Sequence, residues 1–233
     1  MIWALVYKVG VEVLGIWKPY TFPSPLSVFK TLVGLISDNT LGIAILASMK
    51  RIIVGYLISI LIGVVIGLTI VRYKYLDENF SALILGLQTL PSICWLPFAI
   101  LWYGLNESAI IFVIAVGSTF AISISIESGI KNVNPLYIRA ARTMGASGIK
   151  IYRNVIIPAA LPNVISGLKQ GWSFAWRALM AGEMLSATKG LGQVLMVGRD
   201  LADISQVMAV MIVIIVLGLT VDKLIFGRVE ANI

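Results

Sequence analysis

Long apolar stretches alternate with short polar ones along the chain. Residues 52–71, 108–126 and 204–221 carry no charged side chain, and 79–106 is a fourth such run, interrupted by Pro91 and Pro97. A helix rises ~1.5 Å per residue, so about 20 apolar residues cross the hydrocarbon of a bilayer. Each run therefore predicts one membrane-spanning helix. Residues 164–184 are long enough for another span, although they carry Lys169, Arg177 and Glu183. Residues 1–17 give a short first span; it lacks the basic leader and small-residue cleavage site of a signal peptide. The predicted fold is an all-α polytopic membrane protein, a single domain over residues 1–233 with about six transmembrane helices.

Within this pattern, Phe22-Pro23-Ser24-Pro25 reads as extended chain, because proline disfavours helix in the residue before it. Residues 18–39 then form an external connection, with a short surface helix over 27–37. Pro91 and Pro97 are expected to kink their span. Gly63 and Gly67, four apart, predict a close helix contact.

Composition agrees with a bilayer environment. The chain is 59% hydrophobic and only 12% charged, against about 25% charged in soluble domains. The net charge of +7 is better read as loops that set membrane orientation than as a nucleic-acid surface. Lys131, Arg139, Arg142, Lys150 and Arg153 cluster between the fourth and fifth spans, and Arg72, Lys74, Lys223 and Arg228 fall on the same side. The opposite side holds Lys18, Lys30, Lys50, Arg51, Lys189 and Arg199. The denser side is cytosolic, so both termini of a multi-pass protein of the cytoplasmic membrane face the cytosol.

Several chemistries are excluded. There is no histidine, and Cys94 is the only cysteine; neither a metal cluster nor a disulfide is expected. No Gly-Lys dipeptide occurs, so the chain has no phosphate-binding loop of the Walker type. No catalytic residue is assigned, and any ATP used would sit on another chain.

Two segments carry candidate function. In the first, 131–163, Asn134-Pro135 is a helix start with Asn as cap and Pro in the first turn. Leu136, Tyr137, Ala140, Ala141 and Met144 follow at helical spacing, with Arg139, Arg142 and Thr143 on the other face. Gly145 closes the helix in a left-handed conformation. Such a helix either rests on lipid headgroups or docks a partner. In the second segment, Ser166, Lys169, Gln170, Ser173 and Arg177 share one face of the fifth span. Polar groups at membrane depth face protein or water. The stripe thus serves interhelical hydrogen bonding, with Lys169 snorkelling, or it borders a translocation path that suits an anion. Glu183 stands near the outer end as a counter-charge or a partner contact.

The first segment resembles a known family. Ala140-Ala141, Gly145, Ile157-Pro158 and Leu161-Pro162 are similar to the EAA loop of binding-protein-dependent ABC importer permeases. Pro23-Ser24-Pro25, Ser48 with Arg51, Gly55, Leu90-Pro91, Leu96-Pro97, Trp102-Tyr103-Gly104, Gly167, Ala181-Gly182-Glu183, Gly190-Leu191-Gly192, Gly218 and Asp222 resemble the sulfonate/nitrate/taurine branch. The resemblance implies a core permease region over about 40–226 and a cytosolic coupling helix in which Arg139, Ala140, Ala141, Met144 and Gly145 meet the cassette. Arg139 stands where the family usually has Glu. The implied partners are an ATP-binding cassette that carries ATP and Mg, an extracytoplasmic substrate-binding protein and a second permease copy, with no cofactor on this chain. The implied substrate is a small anion such as a sulfonate, taurine or nitrate. The alternatives are a thiamine or riboflavin precursor, or transport without a cassette.

Overall fold

The computed structural model describes residues 2–18, 21–186 and 188–231. Three helices make the core: α3 (Thr40–Arg72), α6 (Glu107–Lys131) and α9 (Ile157–Leu185). Helix α6 lies between the other two, and Ile110, Val113, Ile114, Ile122 and Ile126 are buried along it. Its polar residues are satisfied within the helix: the hydroxyls of Ser118, Thr119 and Ser123 donate to the carbonyls of Ile114, Ala115 and Thr119 at 2.7–2.8 Å. That removes the cost of hydroxyl groups in an apolar interior.

A stripe of small residues on α3, Gly55, Ser59, Gly63 and Gly67, faces α6. A Cβ on Gly67 would stand 2.8 Å from the Ser123 carbonyl oxygen and 2.9 Å from the Ile126 Cβ. The predicted contact at Gly63 and Gly67 is therefore the seam between α3 and α6. Gly67→Leu is expected to cost about 1–3 kcal/mol by overpacking. Thermal unfolding of the purified protein measures this against Gly86→Leu, where the added group would meet open space. Across the bundle, the Tyr56 hydroxyl donates to the Leu168 carbonyl at 2.6 Å, and the Tyr56 ring meets Trp172 edge-on.

The remaining helices pack around this core. Helices α4 (Lys74–Thr89) and α5 (Leu96–Tyr103) form a bent apolar pair, set at 97° across the turn Ser92–Trp95. Pro91 explains the break: it has no N–H, and it holds Leu90 extended at ψ 122°. Pro97, expected to kink the span, sits instead in the first turn of α5, where a missing N–H costs nothing. Helix α2 (Pro25–Ser37) is capped by Ser24, whose hydroxyl accepts the Ser27 N–H at 3.1 Å. Leu35 on α2, Leu191 and Val194 on α10 (Leu191–Asp200) and Val210 on α11 (Ile204–Val221) form a second apolar cluster. A wide turn, Asp222–Phe226, leads into α12 (Gly227–Ala231).

The fold is all-α, with no strand among the described residues. Helices α3, α6 and α11 are long and apolar enough to cross a bilayer, and the broken pair makes a fourth span if counted as one. Helix α9 has 29 residues and also has the length. The amino-terminal helix α1 (Ile2–Tyr7) and the turn Lys8–Val13 hold six residues each. They extend ~18 Å, short of the ~30 Å hydrocarbon thickness.

Two expectations need correction. The segment read as loop to residue 163 is helical from Ile149 onward: α8 (Ile149–Ile151) passes through a π turn, Tyr152–Ile156, into α9. Pro158 and Pro162 lie inside that helix. The Ile157 N–H reaches the Tyr152 carbonyl, five residues back, and this wider turn stands where the Pro158 ring would crowd a regular one. Arg51, counted among outer-loop charges, is buried within α3.

Candidate functional site

The short helix between α6 and α9, α7 (Pro135–Thr143), is built by local rules. The Asn134 side-chain oxygen accepts the Leu136 N–H at 2.9 Å, and Pro135 opens the first turn. At the other end Gly145 takes φ +83°. Its N–H donates to the Arg142 carbonyl at 3.0 Å, and the Ala146 N–H reaches the Ala141 carbonyl at 2.9 Å. This pair of bonds is a Schellman closure. Ile138 and Ala146 pack against Val133, Ile151, Ile156 and Ala160, and Ala141 is buried at 4% exposed. Leu136, Tyr137, Ala140 and Met144 point outward, with Met144 82% exposed, while Ala141, placed on the same face by its spacing, is buried. Arg139 and Arg142 are exposed beside them. The result is a rigid helix that presents apolar side chains with a basic edge.

The stripe on α9 exists as one face. Ser166, Gln170, Ser173 and Arg177 are exposed and Lys169 is half-buried. Its two cations differ in their surroundings. Lys169 Nζ lies 3.3 Å from Asp222 Oδ1 and 3.6 Å from Glu230 Oε2, so the carboxy-terminal segment supplies two acids to one base. Arg177 has no carboxylate partner among the described residues. Its Nε donates to the Ser173 carbonyl at 3.1 Å, and its guanidinium lies 4.6 Å from the Phe174 ring centre.

Glu183 leaves the stripe. Six residues beyond Arg177 on a helix is a rotation of ~240°, which turns it into the bundle, where it is 0% exposed. The Ser48 hydroxyl is 2.8 Å from both carboxylate oxygens, Arg51 Nη1 donates to Oε1 at 2.7 Å, and the Gly192 N–H donates to Oε2 at 3.0 Å. Arg51, 2% exposed, also donates to the Lys189 carbonyl at 2.7 Å and to Glu107 Oε1 at 2.9 Å. The Leu191 N–H donates to Ser48 Oγ at 2.9 Å. A Cβ on Gly192 would stand 2.6 Å from the Glu183 Cβ, so the loop closes this tightly only without a side chain there. The cluster ties α3, α6, α9 and the start of α10 together.

Sequence reasoning missed the role of Glu107 and the joining of Ser48, Arg51 and Glu183 into one cluster. The available signal was the Ser48–Arg51 spacing, which sets both side chains on one face of α3. It also missed Glu127, which accepts from Ser81 on α4 and from Lys131, each at 2.9 Å. Among the described residues no three His, Cys, Asp or Glu side chains gather as a metal site.

Residues 59–231 match the family described as binding-protein-dependent transport system inner membrane component. A protein of Methanocaldococcus jannaschii named as an ABC transporter permease is 33% identical, over 94% of this chain and 88% of that one. The nitrate import permease of a Synechocystis strain is 29% identical over 87% of this chain and 77% of its own. The taurine transport system permease of Escherichia coli is 29% identical over 78% and 68%. In fold, the chain is similar to a crystal structure of an amino acid ABC transporter with TM-score 0.72, at 19% identity, over 87% of this chain and 98% of that one.

Proposed function

Because this chain belongs to the family of binding-protein-dependent transport system inner membrane components, we propose that it carries a small oxyanion along the polar face of α9, driven by a cassette seated on α7. The protein is a membrane permease of an ABC importer. The anion reading rests on the relatives named for nitrate and taurine and on the cationic stripe of α9.

One observation carries the coupling role. Helix α7 is capped at both ends and pinned through Ala141, yet it leaves Leu136, Tyr137, Ala140 and Met144 uncovered. A rigid helix with an open apolar face suits docking into a cleft. Arg139, Ala140, Met144 and Gly145 form the contact edge, and Ala141 holds it in position. ATP and Mg belong to the cassette, and this chain makes and breaks no covalent bond. A substrate-binding protein delivers the anion from outside, and a second copy of the chain completes the path. Both termini lie on the cytosolic side with α7. Nucleotide-driven approach of the two α7 helices would alternate access to the path by rigid-body motion.

The test is uptake into liposomes that hold the permease, with and without its cassette and binding protein. ATP-dependent uptake of nitrate or taurine only in the full assembly is the expected result. Equal uptake by the permease alone would refute the cassette-driven reading.

A further inference from the structure

The break between α4 and α5 faces Arg177. Gln88, Thr89, Leu90, Pro91 and Ser92 from the break, with Gly117, Phe174, Arg177 and Ala181, enclose an open cavity of about 410 Å³. That size is in the range of small-molecule sites. No acidic residue lines it. Donors do: the Gln88 amide, the Ser92 hydroxyl and the terminal guanidinium nitrogens of Arg177 have no protein partner among the described residues. A charge at membrane depth is costly unless it is paired or faces water, and the contacts of Arg177 among the described residues are the Ser173 carbonyl and the Phe174 ring, which leave its terminal nitrogens free for an anion. The contrast with Lys169 is direct, since Asp222 and Glu230 already match that charge.

We propose that this cavity is an anion station in the translocation path, where Arg177 pairs with a nitrate or sulfonate head and Gln88 and Ser92 complete its hydrogen bonds. The planar guanidinium fork matches two oxygens of such a head. Lys169 lies two helical turns away, ~12 Å along α9. The acids beside it make that level unattractive to an anion, so the station retains the solute and the Lys169 level lets it pass. This assignment rests on the anion-importer reading above and specifies where in the chain selectivity lies.

The test uses the full assembly in liposomes and the labelled probes nitrate, taurine and methanesulfonate. Both uptake and ATPase stimulation by the loaded binding protein are measured. Arg177→Gln is expected to cut anion uptake on the order of tenfold or more, the effect of losing a charged hydrogen bond, while ATPase stimulation persists. Arg177→Lys should recover part of the uptake, and Gln88→Ala should lower it several-fold. Wild-type uptake in Arg177→Gln overturns the station and leaves the importer reading intact. If Arg177→Gln fails to assemble, wild-type uptake in both Gln88→Ala and Ser92→Ala overturns it instead. Loss of assembly into a two-copy complex in Arg177→Gln, with normal uptake by Gln88→Ala, assigns Arg177 to the permease–permease contact and also overturns it. A wild-type protein that imports none of the three probes removes the anion reading and the station together.

Discussion

Glu183→Ala is expected to destabilise the permease by about 3–5 kcal/mol, the cost of stranding a buried charge. Arg51 is 2% exposed, and its shortest carboxylate contact, 2.7 Å, is to Glu183. Without that carboxylate, the Ser48 hydroxyl and the Gly192 N–H also lose their acceptor. Glu107→Gln is the informative control. Its side chain is nearly half exposed although it touches the same guanidinium, so a loss of only about 0–1 kcal/mol is expected. Thermal or denaturant unfolding of the purified protein in detergent measures both. Equal losses for the two variants would show that Arg51 is held from the exposed side and that the buried pair is not the anchor.

Met144→Glu is expected to abolish ATP-coupled uptake, by at least about tenfold, with little change in stability. The tenfold figure corresponds to losing ~1.4 kcal/mol of docking energy, well within what a central contact supplies. Met144 is exposed and lies at the end of α7, and exposed substitutions usually move stability by less than about 0.5 kcal/mol. Gly145→Val would act by another route. At φ +83° a β-branched residue strains the backbone, so the Schellman closure and the direction of the chain after α7 both suffer. Uptake and unfolding measured together separate the two mechanisms. Normal coupled uptake by Met144→Glu would remove α7 from the cassette contact.

Local signals in the sequence were the legible ones. The cap at Asn134, the glycine stop at Gly145 and the small-residue seam at Gly63 and Gly67 each follow from short spacings, whereas Pro25, read as extended chain, opens α2 behind the Ser24 cap. The polar face of α9 was legible for the same reason, since helical period alone brings Ser166 to Arg177 into line. Contacts between distant segments were not legible. Ser48 and Glu183 are separated by 135 positions, and no local rule links them. The burial of Ile138 on α7 was not legible, because it depends on the apolar pocket of Val133, Ile151 and Ile156, which amphipathic spacing does not reveal. Prolines misled in both directions. Pro91 breaks its apolar run outright, while Pro97, Pro158 and Pro162 are absorbed into helices.

The buried pair also has a history in time. Ribosomes make about 5–20 residues per second, and Arg51 precedes Glu183 by 132 positions. The guanidinium is therefore synthesised roughly 7–26 s before its deepest partner exists. Glu107 follows Arg51 by only 56 positions. In order of synthesis, the half-exposed carboxylate is the first counter-ion available to the newborn helix hairpin, and the permanent one arrives only with α9.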